Sequence, residues 1–278
     1  MQLEQQRKVA FETCWYAPAR AYLSAHRQLR LDEESIDKCL CRYLLVKLTC
    51  RKSTDDVLFI PRAEPECLMM LQRDLLYQQS PHVDAMSIQQ TLDWFLQDAL
   101  EMVTSFAHEE PETTEEKEAQ IALRYSYFQL RSLGLRIDYK NILKLKPQDA
   151  LEAFASTYNH YFEEWCSPFP DIERPSFFSL TTTPDLVMMN PPFDVVFCEK
   201  VIRKTRELFA QNPHTTFMLV LPKWKRWKAV HQFSKECYEV QTYPKQSFTF
   251  LNQDGEQVHA CDIVMYWYGN RRKQGENV

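Results

Sequence analysis

Glycine is almost missing from this 278-residue chain, with only Gly134, Gly255, Gly269 and Gly275 present. Average usage would give roughly twenty. None precedes residue 134 and no two lie close together, so neither a GxGxxG fingerprint nor a Walker A loop can be written. A Rossmann dinucleotide site of the usual kind and a P-loop nucleotide hydrolase are excluded. Cysteine pairing is also lacking. The nine cysteines, Cys14, Cys39, Cys41, Cys50, Cys67, Cys166, Cys198, Cys237 and Cys261, are odd in number and include no CxxC. They read as buried thiols of a reducing compartment. No Cys/His cluster has zinc spacing, so no metal is expected. Long apolar runs are absent: Phe217 to Leu221 is about a quarter of a membrane span. Residues Met1 to Glu12 are polar, without the apolar core of a secretory signal. These absences predict a soluble intracellular protein, nuclear or cytoplasmic, that engages no membrane. A general excess of positive charge is missing too: 33 Lys and Arg against 38 Asp and Glu leave a net charge of −5. That argues against a basic nucleic-acid coat protein.

What is present changes character along the chain. Residues 1–110 are predicted to be an all-α domain. Val9, Phe11, Cys14 and Trp15, then Ile36, Leu40, Tyr43, Leu44 and Leu48, recur at three- and four-residue spacing, as one face of a helix requires. Residues 111–118 continue an acidic, proline-broken stretch and are expected to link two domains, with a helix starting near Glu115, where acidic residues suit the helix dipole. The second domain is expected to span 119–270, leaving 271–278 as a polar tail. It opens on a helix over 119–133. A short strand is expected at Leu151–Ser156 and another at Leu186–Met189, then a helix from Val195 to Phe209. A buried strand at Thr215–Leu221 follows, a helix at Lys228–Lys235 and a last strand at Cys261–Tyr268. Alternating strands and helices predict an α/β fold with a mostly parallel sheet and helices on its faces, whose ligands bind beyond the carboxyl ends of the strands.

The sharpest chemical signal is Asn190-Pro191-Pro192-Phe193, directly after one expected strand and before a helix. Two successive prolines can continue neither element and hold an extended loop. The Asn190 side chain and a proline carbonyl offer two acceptors side by side, and the Phe193 ring can stack on a base. That set suits an exocyclic amino group: both N–H bonds are accepted and the nitrogen lone pair is aimed at an electrophile. Replacing Asn190 by Asp is expected to be milder than replacing it by Ala, because Asp keeps an acceptor oxygen. A second signal is Pro222-Lys223-Trp224-Lys225-Arg226-Trp227-Lys228, four cations interleaved with two tryptophans after a buried strand. Cations neutralise phosphates and indoles stack on bases, which suits single-stranded RNA or a cap. The other reading of this stretch is a solvated helix start with one core tryptophan.

NPPF is similar to the motif of amino-group methyltransferases that use S-adenosylmethionine. The neighbourhood narrows the likeness. Phe154-Ala155-Ser156-Thr157-Tyr158-Asn159-His160-Tyr161-Phe162, then Trp165-Cys166-Ser167-Pro168-Phe169-Pro170-Asp171, resemble the FASPLN…YF…YCSAFPD stretch of the phosphorylated CTD-interacting factor family of cap-specific adenosine N6-methyltransferases. Pro222-Lys223-Trp224 and Val258-His259 add to the resemblance, which covers roughly 118–270. Thr157 stands where the family has proline, and Lys223 where it has an acidic residue. The resemblance implies a Rossmann-like class I methyltransferase domain behind a helical domain. It also implies S-adenosylmethionine as cofactor and methyl transfer to N6 of the 2′-O-methyladenosine beside the m7G cap of mRNA. On that reading Asn190, Pro191, Pro192 and Phe193 are catalytic. The turn Ala155-Ser156-Thr157 holds the cofactor together with Asn190, Glu152 or Asp171 accepts its ribose hydroxyls, and Phe154 and Phe169 flank its adenine. Read from the residue type alone, each of these two aromatics is more often core. Lys223, Trp224, Lys225, Arg226, Trp227 and Lys228 then meet RNA or cap. Methylation of internal RNA or DNA adenines, and a catalytically silent RNA-binding or partner subunit, stay open beside it.

Overall fold

The computed structural model describes residues 12–25, 113–127, 135–169, 173–193, 195–223, 227–252, 254–259 and 261–270, with a few single positions before residue 95. By its contacts the chain divides into two compact units, Met1–Leu133 and Gly134–Val278. The described residues of the first unit are helical apart from a bend at Thr113. A wide turn over Glu12–Tyr16 runs into α1 (Ala17–Ala25), which buries Trp15, Ala19 and Leu23. Tyr16 and Arg20 both donate to Asp37, at 2.7 and 2.9 Å. Helix α2 spans Thr114–Tyr127. The Thr113 hydroxyl accepts the Glu116 N–H at 3.1 Å, and Glu115 and Glu116 occupy the first turn, where the dipole favours negative charge. This helix, expected to open the second domain, groups with the first unit. Of the periodic positions, Ile36 and Leu40 are buried. Tyr43, Leu44 and Leu48 lie outside the described residues, as do Asp171, the run Trp224-Lys225-Arg226 and the tail cations Arg271, Arg272 and Lys273.

The second unit is α/β, built on a mixed sheet of six strands. In chain order these are β2 (Leu151–Glu152), β3 (Glu164–Trp165), β4 (Leu186–Met189), β5 (Thr216–Pro222), β6 (Glu239–Tyr243) and β9 (Ile263–Gly269). The spatial order is β3-β2-β4-β5-β9-β6. The first four are mutually parallel, whereas β9 runs antiparallel to both neighbours. Strands β4 and β5 are buried at every position, as their unbroken apolar runs require of strands covered on both faces. Between them α4 (Val195–Gln211) crosses over, as a parallel pair demands. Gly269 closes β9 at φ +102°, where an added Cβ would stand 2.4 Å from the Thr215 carbonyl oxygen. No other residue fits so close an approach at positive φ.

The two long helices of this unit lie on one face of the sheet, where the alternating pattern predicts helices on both. Thr205 of α4 approaches the Met189 sulfur at 3.3 Å, and Phe209 of α4 packs on Tyr268. Phe233 of α5 (Lys228–Glu236) packs on Tyr266 and Tyr268 of the same sheet face. The opposite face is built from Leu186, Met188, Met218, Val220, Ile263 and Met265. It packs with Ile137, Tyr139, Phe162, Phe248 and Phe250. Three of these belong to a small antiparallel sheet or its flank. That sheet joins β1 (Arg136–Ile137), β7 (Phe250–Leu251) and β8 (Gln257–Val258) in the order β1-β7-β8. The short helix α3 (Tyr139–Ile142) follows β1.

The turn after β2 and the NPPF loop end up adjacent. From β2 the chain moves outward to β3, then returns to lay β4 on the other side of β2, so strand order reverses between β2 and β4. In open α/β sheets ligands bind beyond the strand ends at such a reversal. The Ala153 N–H donates to the Met188 carbonyl at 2.8 Å and carries the ladder past β2. The turn after β2 therefore stands beside Asn190-Pro191-Pro192-Phe193 at the end of β4.

Candidate functional site

Asn190 leaves the end of β4 with its side chain half-buried. Its Nδ2 donates to the Leu135 carbonyl oxygen, 3.1 Å away and immediately before β1. That bond assigns the amide's two ends and turns Oδ1 away from Leu135. Oδ1 is shut off from solvent and has no hydrogen-bond partner among the described residues. A buried acceptor left unmade costs about 1–3 kcal/mol, so an arriving N–H donor would be strongly welcomed. Two residues on, the Pro192 carbonyl accepts the Cys198 thiol at 3.5 Å. Phe193 is half-buried, and its ring meets Phe250 of β7 edge-on, 6.4 Å between centroids. The small sheet thus touches the motif twice, through a carbonyl and through an aromatic ring.

The turn after β2 starts earlier than a six-residue strand would allow, because the strand ends at Glu152 and the chain bends at Ala153 and Phe154. Ser156 begins a tight turn in which Asn159 Oδ1 accepts both the Ser156 N–H and its hydroxyl, at 2.7 and 2.9 Å. Ala153 and Ala155 are buried and small, so backbone can be approached closely there. Phe154 packs against Phe177, Phe178 and Phe197 with centroids 5.0, 6.4 and 5.6 Å away. Phe197 lies in the first turn of α4, directly after the NPPF loop, so this cluster ties the two loops together. Phe154 is accordingly a packing residue on three sides. Phe169 is wholly buried and is core, not an exposed flank for an adenine.

Glu152 needs the clearest correction. Its carboxylate is buried rather than turned toward the strand ends, and both oxygens are taken by protein donors. The Tyr139 hydroxyl donates to Oε1 at 3.2 Å and the Tyr161 N–H to Oε2 at 2.9 Å. Burial pushes its pKa up to about 7, against the opposing effects of the Tyr161 N–H, the Tyr139 hydroxyl and the Arg136 charge. A buried group held by these donors reads as part of the core rather than as an acceptor for a ribose. The carboxylate that does organise the turn is Glu173, which belongs to no motif in the sequence. It accepts the hydroxyls of Thr157, after β2, and of Ser167, after β3. The one signal that points to it is two hydroxyls at turn positions with an acidic residue a few places downstream.

On the basic stretch the residues separate. Lys223 and Lys228 are exposed, and Lys223 stands at the end of β5, on the same edge of the sheet as NPPF. Its backbone N–H is held by the Asp262 carbonyl at 2.9 Å, while Asp262 Oδ1 takes the Lys245 N–H at 2.9 Å. This brings a second exposed lysine, Lys245, to the same edge. Trp227 does not belong to any surface platform. It is buried, and its indole N–H donates to Glu199 at 3.3 Å, so one tryptophan of the pair is core. Among the described residues no three His, Cys, Asp or Glu converge as a metal set. None of the described helices is long and apolar enough to cross a membrane. A family model described as Phosphorylated CTD interacting factor 1 WW domain matches residues 74–254. That is more than half of the chain, and it takes in both site turns, NPPF and the basic stretch.

Proposed function

The chain belongs to the phosphorylated CTD interacting factor 1 family, and on that premise we propose that it is an S-adenosylmethionine-dependent N6-methyltransferase acting on RNA adenosine beside the m7G cap. The observation that carries this reading is Asn190 Oδ1: a neutral acceptor, oriented by its own amide and left without a donor among the described residues, at the reversal of strand order. Asn190 Oδ1 and the Pro191 carbonyl would accept the two N6–H bonds, since the Pro192 carbonyl is already taken by Cys198. Holding both N–H bonds turns the nitrogen lone pair toward the β2 side of the crevice. The methyl group would pass from the sulfonium sulfur, whose bond to it breaks, to N6, and the Asn190 dipole would stabilise the positive nitrogen until its proton passes to water. Because Oδ1 has no solvent-accessible surface, a base reaches it only when the loop opens. Binding and exclusion of water are then coupled.

The small residues Ala153, Ala155 and Ser156, beside NPPF at the strand reversal, fit a cofactor that must approach backbone closely. Glu152 does not serve it. S-adenosylmethionine bound there supplies the methyl group. Lys223, Lys228 and Lys245 would take the phosphates that follow the target, at the same edge of the sheet. One observation favours a second reading, a silent RNA-binding subunit: the carboxylate of Glu152 and the hydroxyl of Ser156 are both satisfied within the protein. Labelled S-adenosylmethionine, offered with capped, uncapped and internal-adenine RNA and followed by digestion to nucleosides, separates the two. The proposal expects label in N6-methyl-2′-O-methyladenosine from capped RNA. RNA binding with neither cofactor binding nor label leaves the silent subunit.

A further inference from the structure

We infer that the Leu135 carbonyl is a positioning group for Asn190 and the reason this site requires asparagine rather than aspartate. The inference rests on the reading of Asn190 as the amino-group acceptor and extends it. Nδ2 donates to that carbonyl at 3.1 Å across 55 residues of chain. Leu135 is not a loose loop residue. It precedes β1, whose Arg136 and Ile137 pair with Leu251 and Phe250 of β7, and the Asp138 N–H donates to the Thr249 carbonyl at 3.2 Å. The small sheet therefore fixes where the carbonyl stands, and the carbonyl fixes which end of the amide is free.

An ionised aspartate at 190 has no donor to offer. One oxygen would face the Leu135 carbonyl at hydrogen-bond distance, acceptor against acceptor, at a half-buried position. The carboxylate would turn away or hold its proton, and in either case the free oxygen is no longer aimed where the Nδ2 bond aims it. A protonated carboxyl restores the donor. Burial beside an acceptor raises the folded-state pKa of such an aspartate above its unfolded value of about 3.9. The penalty is thus absent at the acidic end, accrues as pH rises past about 4, and is complete above the raised folded pKa. The titratable groups nearest in sequence on the elements around Asn190 include Arg136, Asp138, Tyr139, Glu152, Cys198, Glu199, Lys200 and Lys223. Arg136 is turned to the His160 carbonyl, Glu152 to Tyr139 and Tyr161, and Cys198 to Pro192. Their titration is common to every variant at 190 and cancels between them.

The test compares wild type, Asn190→Asp and Asn190→Ala by thermal melting from pH 5 to 8.5, and by methyl transfer from labelled S-adenosylmethionine to capped RNA. The expected result at pH 8 is that Asn190→Asp melts about 4 °C or more below Asn190→Ala. That gap closes or reverses by pH 5, while the alanine variant stays parallel to wild type. Turnover of Asn190→Asp at pH 8 falls at least about tenfold and recovers relative to wild type as pH is lowered. Parallel melting curves for the two variants across the range overturn the inference, as does Asn190→Asp turnover within about twofold of wild type at pH 8. If wild type transfers no methyl group, the proposed function fails, and the melting comparison still decides the Leu135 bond.

Discussion

The Tyr139 hydroxyl donates to Glu152 at 3.2 Å with both side chains buried, at the last residue of the strand on which the sheet reverses its order. Burial holds the Glu152 pKa up at about 7 and the Tyr139 phenol well above its ordinary value. The folded state therefore keeps a proton on Glu152 that the unfolded chain loses near the ordinary value of 4.5. The stabilising contribution is full below that pH and is lost as pH rises toward 7. Glu152→Gln should remove this loss, flattening the melting temperature between about pH 4.5 and 7. Stability at pH 8 should rise by up to about 3 kcal/mol. A melting profile with an unchanged pH slope contradicts the buried, protonated carboxyl. Unchanged cofactor affinity in the same variant is expected, because the side chain is turned into the core.

Glu173 ties the turn after β2 to the turn after β3 by accepting the Thr157 and Ser167 hydroxyls. Glu173→Ala leaves both hydroxyls without that acceptor, and stability should fall by about 1–3 kcal/mol. Loosening the turn should also weaken S-adenosylmethionine binding by about tenfold in isothermal titration. Glu173→Gln, which keeps one acceptor, should lose less of each. Equal cofactor affinity in wild type and Glu173→Ala would separate this turn from the cofactor altogether.

The two classes of residue in the basic stretch predict opposite behaviour. Lys223→Ala with Lys245→Ala should weaken RNA binding and reduce the slope of log affinity against log salt by about 0.7 for each phosphate no longer neutralised. Melting should be left unchanged. Trp227→Phe should do the reverse: it removes the indole donor to Glu199 and costs about 1 kcal/mol, while RNA affinity holds. A weaker RNA complex in Trp227→Phe, measured by fluorescence anisotropy, would return that ring to the RNA surface.

How legible the fold is in the sequence follows from the length of each element. Strands β4, β5 and β9 and helices α4 and α5 show themselves because apolar runs and three-to-four spacing extend over enough residues to reveal a period. Strands β1, β2, β3, β7 and β8 are two residues each, and two residues have no period. Strand β6 alternates half-buried and exposed positions, but as an edge strand of polar Glu239, Gln241 and Thr242 it carries little apolar signal. NPPF stands at a strand end as expected, since paired prolines admit few other places. Which way Asn190 turns is not readable, because its partner is a backbone carbonyl 55 residues upstream and a carbonyl has no sequence signature. Glu152 and Trp227 mislead for one shared reason: polar and amphipathic side chains can face either side of a short element, and only the packed structure chooses.

Asn190→Ala is the most direct measurement, with turnover and melting temperature recorded on the same preparation. The amide is half-buried and its one hydrogen bond among the described residues is at Nδ2, so its removal opens no large cavity and frees one carbonyl. Melting should move by no more than a few degrees. Turnover on capped RNA should drop by at least about a hundredfold, the scale for removing one well-placed transition-state hydrogen bond. If turnover instead falls only in proportion to a large drop in melting temperature, or does not fall at all, Asn190 is a structural turn residue and the assignment of amino-group methyl transfer to this site is wrong.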